Sequence, residues 1–153
     1  PRKRFDLVAN RFVIMAIKKI KISLFGASSW RPFISVNDVS RVLIKVLQAE
    51  NHIVRNQIFN VGGNKENYRI IDIINTIKKY ISINFEFSTK NEDKRNYKVS
   101  FKKIKKVLKF TPKDNLKKTI SKLIKRYKKE GINENNINYY NDKKIYRILG
   151  KNI

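Results

Sequence analysis

Apolar residues along this chain alternate between a helical spacing and a strand spacing, and the switches between the two predict a mixed architecture. From Phe5 to Lys19, Val8, Phe12 and Met15 form one row and Ala9, Val13 and Ala16 the next, which predicts a helix with a broad apolar face. Ile20–Phe25 reads as a short strand stopped by Gly26, and Phe33–Val36 as a second. Asn37 is expected to cap a helix, with Asp38 favouring its dipole. Val39, Val42, Leu43, Val46 and Leu47 then make a clean helical stripe at i, i+3, i+4, i+7 and i+8. A polar loop over Asn51–Asn56 leads to a predicted strand, Gln57–Val61, closed by Gly62-Gly63 as a turn able to supply positive φ. Ile70, Ile73, Ile74, Ile77 and Ile81 predict another helix, and Ile83–Phe87 alternates like a half-buried strand.

Ser88–Asn96 is a charged loop, followed by a short extended piece at Tyr97-Lys98-Val99. Ser100 is expected to cap a helix with Phe101, Ile104, Val107 and Leu108 inward, broken by Thr111-Pro112. A last helix carries Leu116, Ile120, Leu123, Ile124 and Tyr127 on one side and lysines on the other. From Gly131 the chain is Asn-rich and weakly patterned. Alternating strands and helices give the class α/β, with α+β character.

Composition narrows the chemistry. The 153 residues suffice for one domain with a real core, and 41% are hydrophobic. With no Cys there is no disulfide framework, thiolate metal site or Cys nucleophile, and His52 as the sole histidine excludes a multi-histidine centre. The carboxylates show no metal-ligand spacing, and no apolar run approaches a membrane span. No signal peptide is visible, and a first residue of Pro rather than Met suggests a processed product or a fragment. The net charge of +24 invites a nucleic-acid reading. However, Lys, Asn and Ile dominate together, as an A/T-rich coding bias would produce, and most lysines fall on outer helix faces. A solvated basic surface is therefore favoured over a nucleic-acid module, whose aromatics would alternate with Lys/Arg on one exposed face.

The most informative stretch is Ile22–Leu43, ISLFGASSWRPFISVNDVSRVL. It sets one guanidinium, Arg31, between Trp30 and Pro32 at a strand edge just before a capped helix, an arrangement suited to holding a phosphate. This stretch resembles a segment of the extended short-chain dehydrogenase/reductases, the NAD-dependent sugar-nucleotide epimerases and dehydratases. Further blocks resemble the same family in order and spacing: residues 1–12 (PRKRFDLVANRF), 59–63 (FNVGG), 67–70 (NYRI) and 93–104 (DKRNYKVSFKKI). The resemblance implies the C-terminal substrate-binding lobe of an extended Rossmann-type enzyme, with the Rossmann core largely missing. Residues 1–130 would form the lobe and 131–153 an Asn/Lys-rich C-terminal tail. The family's Gly-rich dinucleotide loop is absent. Tyr139 and Lys143 have the catalytic Tyr-x-x-x-Lys spacing but lie in the Asn-rich tail, where chance spacing is the simpler reading. The chain alone is therefore expected to be inactive, with no catalytic residue, to bind no cofactor itself, and to be cytoplasmic. NAD(P) would serve the complete enzyme.

By the same resemblance Arg31 contacts the substrate diphosphate; the alternative is a surface Arg stacked on Trp30 or Phe33. Arg95 falls where the family's substrate-phosphate loop lies, with Lys90 and Lys94 as competitors. Tyr97 either closes over the nucleotide or is a half-buried core aromatic. Asn10 matches a family Asn, and its partner is either substrate or backbone. Ser35 replaces the family's usual His, and His52 reads as solvated. The implied partners are a nucleotide-diphosphate sugar and a Rossmann half in cis or in trans, with a homodimer of the full enzyme. The competing functions are a basic nucleic-acid module and a non-catalytic subunit that completes a separate Rossmann chain.

Overall fold

A computed structural model describes residues 4–89 and 95–133. The Tyr139/Lys143 pair, Lys90, Lys94 and nearly all of the proposed tail lie outside the described residues.

Helix α1 (Val8–Ile17) follows its apolar rows, burying Phe12, Val13, Ile14 and Ala16. Strand β1 (Ile22–Leu24) sets Ile22 and Leu24 inward and Ser23 outward, as a period of two demands. The chain turns at Gly26, whose φ of 59° suits glycine, and Ser29 N–H closes the turn on the Gly26 carbonyl at 2.9 Å. Strand β2 is Trp30–Pro32 rather than the expected Phe33–Val36. Helix α2 (Val36–Leu47) begins earlier than expected because Ser35, not Asn37, caps it: the Ser35 hydroxyl accepts from Asp38 N–H at 3.1 Å.

A one-turn helix α3 (Asn51–Val54) occupies the expected loop. Gln57–Val61 forms no strand. After a 3₁₀ turn at Asn64–Glu66, strand β3 (Asn67–Arg69) precedes α4 (Ile70–Lys78), which buries Ile70, Ile73, Ile74 and Ile77. Strand β4 is Phe85–Phe87. Helix α5 (Lys102–Leu108) is capped at Phe101 without a side-chain bond, so Ser100 is not its cap, and Val107 points outward. Asn115 caps α6 (Leu116–Glu130), its side chain accepting from Lys118 N–H at 2.9 Å.

The strands form two separate pairs. β1 runs parallel to β4, with Ile22 opposite Phe85. β2 runs antiparallel to β3, with Arg31 opposite Tyr68. Helices α1, α4 and α6 pack on β1 around the main core, centred on Val13, Leu24, Ile73, Ile77, Ile120 and Tyr127. A smaller core joins Val42 of α2 to Phe101, Ile104, Leu108 and Phe110. Gly62 is required by proximity and not by positive φ, because a Cβ there would lie 2.6 Å from the Phe101 ring. Gly63 packs in turn against the Pro112 ring.

Between the two cores, buried Asp38 acts as a clamp. Its carboxylate accepts from the backbone N–H groups of Lys113 and Asp114, each at 3.0 Å, from the Ser35 hydroxyl at 3.0 Å and from Arg41. The expectation that Asp38 merely favours a helix dipole is thus corrected. It ties the start of α2 to the segment that leads into α6. Among the described residues no helix is long and apolar enough to cross a membrane.

Candidate functional site

A cavity of about 790 Å³ opens where the start of α1, the β1 turn, β2 and the N-terminus of α6 converge. Each wall has a structural reason to be there. β2 presents Arg31 because its antiparallel pairing with β3 fixes the face on which that side chain emerges. The α6 N-terminus contributes Asn115 and Thr119, held in place by the Asp38 clamp on the residues just before it. Asn96 brings the end of the charged loop in, its side chain accepting from Trp30 N–H at 2.9 Å, and this sets Arg95 at the cavity. Asn67 secures the following segment by exchanging two hydrogen bonds with the Val99 backbone, at 2.8 and 3.1 Å.

Arg31, Arg95 and Asn10, three of the four residues expected from the sequence, line this one cavity. The Arg31 guanidinium donates to the Trp30 carbonyl at 2.7 Å and lies over the Tyr97 ring, 5.5 Å from its centroid. Its aromatic neighbour is therefore Tyr97, not Trp30 or Phe33. The Trp30 face is instead covered by the Lys98 ammonium at 3.7 Å. Tyr97 is largely exposed and is not part of the cavity wall; it is neither a core aromatic nor a wall residue, but a platform beneath Arg31. The Asn10 amide donates to the Arg4 carbonyl at 2.7 Å, which identifies a backbone partner for it.

The acidic wall residues are committed to protein partners. Asp6 pairs with Arg4 at 2.8 Å. Asp114 pairs with Lys118 at 2.9 Å and Lys122 at 3.0 Å, and these two ammonium groups hold its carboxyl at about 2. Burial pushes the Glu66 carboxyl above its ordinary value, against a hydrogen bond at 2.9 Å from the Tyr68 hydroxyl. Burial and the same Glu66 push the Tyr68 phenol up to about 12, so it stays protonated as a donor.

Sequence reasoning missed Arg11 and Glu66. Arg11 follows Asn10 on α1 and lines the cavity as an exposed guanidinium, but in so basic a chain it carried no distinguishing signal. Glu66 reaches the wall only through the 3₁₀ turn that precedes β3. Three arginines around a cavity of this size, with neighbouring carboxylates already paired or bonded, can hold a phosphorylated ligand larger than a single phosphate. Among the described residues no group of His, Cys, Asp and Glu could hold a metal ion, and His52 is exposed beside Glu50 at 3.4 Å.

Residues 1–62 match the model of the NAD dependent epimerase/dehydratase family. No curated protein matches the chain. The fold is similar to that of MoeE5 in complex with UDP-glucuronic acid and NAD (TM-score 0.70, 17% identity, 82% of this chain and 42% of that one). It is also similar to UDP-glucuronic acid 4-epimerase from Bacillus cereus in complex with UDP-glucuronic acid and NAD (TM-score 0.66, 25% identity, again 82% and 42%). A third similar structure is dTDP-glucose 4,6-dehydratase from Bacillus anthracis in complex with NAD (TM-score 0.66, 19% identity, 85% and 42%). The chain spans about two fifths of the length of these proteins. The family match over residues 1–62 and the fold similarity point to the same group of proteins.

Proposed function

We propose that this chain is the sugar-nucleotide-binding lobe, the C-terminal part, of an NAD-dependent epimerase/dehydratase. The observation that carries the reading is the convergence of Arg31, Arg95 and Asn10 on a single cavity, although they are far apart in sequence. Arg31 and Arg95 supply planar, permanently charged donors for the two phosphates of a nucleotide-diphosphate sugar. Tyr97 and the Trp30 carbonyl hold the Arg31 side chain in one orientation, so less rotamer entropy is lost on binding. Asn10, with its amide engaged by the Arg4 carbonyl, fixes the α1 wall.

NAD, when bound, supplies a hydride acceptor for the sugar hydroxyl. We assign its binding to the remaining three fifths of the fold, since Gly62 and Gly63 here pack against Phe101 and Pro112 and line no open phosphate loop. This lobe alone binds and orients substrate without turning it over.

Thermal melting of the chain with UDP, dTDP and GDP tests the reading. One of these raises Tm by roughly 4–10 °C at about 10–100 times Kd. Arg31→Ala weakens binding about 10–100-fold, the worth of a charge-assisted bidentate contact, and Arg31→Lys falls between. A folded chain that responds to none of the three diphosphates, or an Arg31→Ala variant that binds like the parent, overturns it.

A further inference from the structure

Three carboxylates line the cavity, and Glu66 is held differently from the other two. Asp6 pairs with Arg4, and Asp114 pairs with Lys118 and Lys122, so each brings its own cation. Glu66 receives the Tyr68 hydroxyl at 2.9 Å, and the Leu116 N–H at the start of α6 also favours its charged form. Both are neutral donors, and among the described residues no Lys or Arg is within ion-pair distance of the Glu66 carboxylate. It therefore adds an unneutralised negative charge to a wall that also carries Arg11, Arg31 and Arg95.

The position of that charge is fixed. Glu66 N–H donates to the Gly63 carbonyl, and the Glu66 carbonyl accepts from Phe33 N–H, each at 2.8 Å. Its hydroxyl donor, Tyr68, stands directly opposite Arg31 in the β2–β3 register, so one strand pair sets both the guanidinium and the group that holds the carboxylate. An ionised carboxylate has about four acceptor sites, and two neutral donors leave half of them open. Burial pushes it above its ordinary value in spite of those donors, as for a carboxylate short of partners. Such a group works against the binding of a bare phosphate, because it repels the anion that the arginines attract. It works for the binding of a ligand whose hydroxyls flank its phosphates. A charged acceptor in a half-buried wall selects a ligand with the O–H donors over one that lacks them.

We propose that Glu66 is a specificity-determining residue of this cavity: its carboxylate accepts hydrogen bonds from a vicinal diol of the ligand while Arg31 and Arg95 hold the diphosphate. The diol belongs either to the ribose or to the sugar beyond the diphosphate, since both offer the same pair of O–H donors. The inference rests on the reading of the cavity as a nucleotide-diphosphate site and adds a preference to it. Without Glu66 the arginines take pyrophosphate and a nucleotide sugar on similar terms. With it, hydroxyl-bearing ligands are selected from other diphosphates. A Glu66 that only ties the 3₁₀ turn to β3 and α6 makes no such selection.

Isothermal titration of the full chain and of Glu66→Gln tests this, with pyrophosphate, 2′-deoxy-UDP, and UDP, dTDP and GDP each with and without a glucose conjugate. Gln keeps the size and an acceptor oxygen for the Tyr68 hydroxyl but removes the charge. In the parent, the diol-bearing member of a pair binds about 10–100-fold tighter, the worth of a hydrogen bond to a charged group. A ribose diol shows as UDP over 2′-deoxy-UDP, and a sugar diol as a glucose conjugate over its own diphosphate. In Glu66→Gln that preference falls to within about threefold, and pyrophosphate binds as tightly as before or more tightly. If Glu66→Gln does not fold, Glu66→Asp takes its place: it withdraws the charge by one methylene, and the same loss of preference is expected. A preference that the substitution leaves intact, no preference in a parent that binds diphosphates, or equal weakening of pyrophosphate and conjugates overturns the inference alone. A folded parent that binds none of these ligands overturns the nucleotide reading beneath it.

Discussion

Replacing Asp38 with Ala should be among the most damaging single changes in this protein. The carboxylate is 1% exposed and receives two backbone N–H groups, one hydroxyl and one guanidinium. Ala leaves the Lys113 and Asp114 N–H groups without acceptors in a buried setting, at about 1–3 kcal/mol each. It also strands Arg41 and removes half of the Ser35 cap contact. The expected loss is about 3–5 kcal/mol, the range for breaking a buried charged network by removing one partner. Set against a typical domain stability of about 5–15 kcal/mol, that approaches unfolding.

Asp38→Asn discriminates shape from charge. It preserves volume and one acceptor oxygen, but its NH₂ group must face a donor, because both carboxylate oxygens already receive hydrogen bonds from backbone N–H groups. Its cost should be about 2 kcal/mol. Urea denaturation followed by circular dichroism reads both variants. Nucleotide melting shifts should also shrink in Asp38→Asn, because the clamp positions the residues that lead into the cavity wall. An Asp38→Ala midpoint that implies a change below about 0.5 kcal/mol, the range of an ordinary surface substitution, would refute the clamp.

Acid should expose the same network. Burial pushes the Asp38 carboxyl up, but hydrogen bonds from Lys113, Asp114, Ser35 and Arg41 outweigh it and hold it below its ordinary value; Asp114 is held at about 2. Both carboxylates therefore stabilise the fold above their unfolded values near 4, and that stability is lost as pH falls from there toward 2; a flat stability profile across this interval would contradict the assignment. Gly62→Ala should cost about 1–3 kcal/mol by forcing a methyl against the buried Phe101 ring, and an unchanged urea midpoint would disprove the close approach. Lys109 ends α5 with φ of 48°, so Lys109→Gly should stabilise by about 0.5–1 kcal/mol in the same assay, and a loss of stability would count against a left-handed cap there.

The helices α1, α4 and α6 were legible because their apolar spacing and their burial agree: Phe12, Ile73, Ile74, Ile77, Ile120 and Ile124 are all inside. The strands were less so. β2 and β3 are three residues each, and Trp30-Arg31-Pro32 and Asn67-Tyr68-Arg69 carry no apolar alternation. Their pairing is set by each other and by the Asn67 and Asn96 side chains, which no local pattern encodes. In the site, Arg31 was readable because it stands alone among aromatics and Pro. Arg11 and Glu66 were not, because only the fold brings an exposed helical arginine and a turn carboxylate to one wall.

The remaining misreadings share a different cause. The stripe on α2 is buried only in part, with Val42 inside and Leu43 and Leu47 exposed, and Gln57–Val61, expected as a strand, forms none among the described residues. A hydrophobic period reports that a face is selected for contact; it does not report which polypeptide makes that contact. Val42, Phe59 and Val61 find their contacts within the chain, while Leu43, Leu47 and Ile58 do not. The discrepancy between pattern and burial therefore separates the apolar positions that this chain's own core covers from those it leaves exposed.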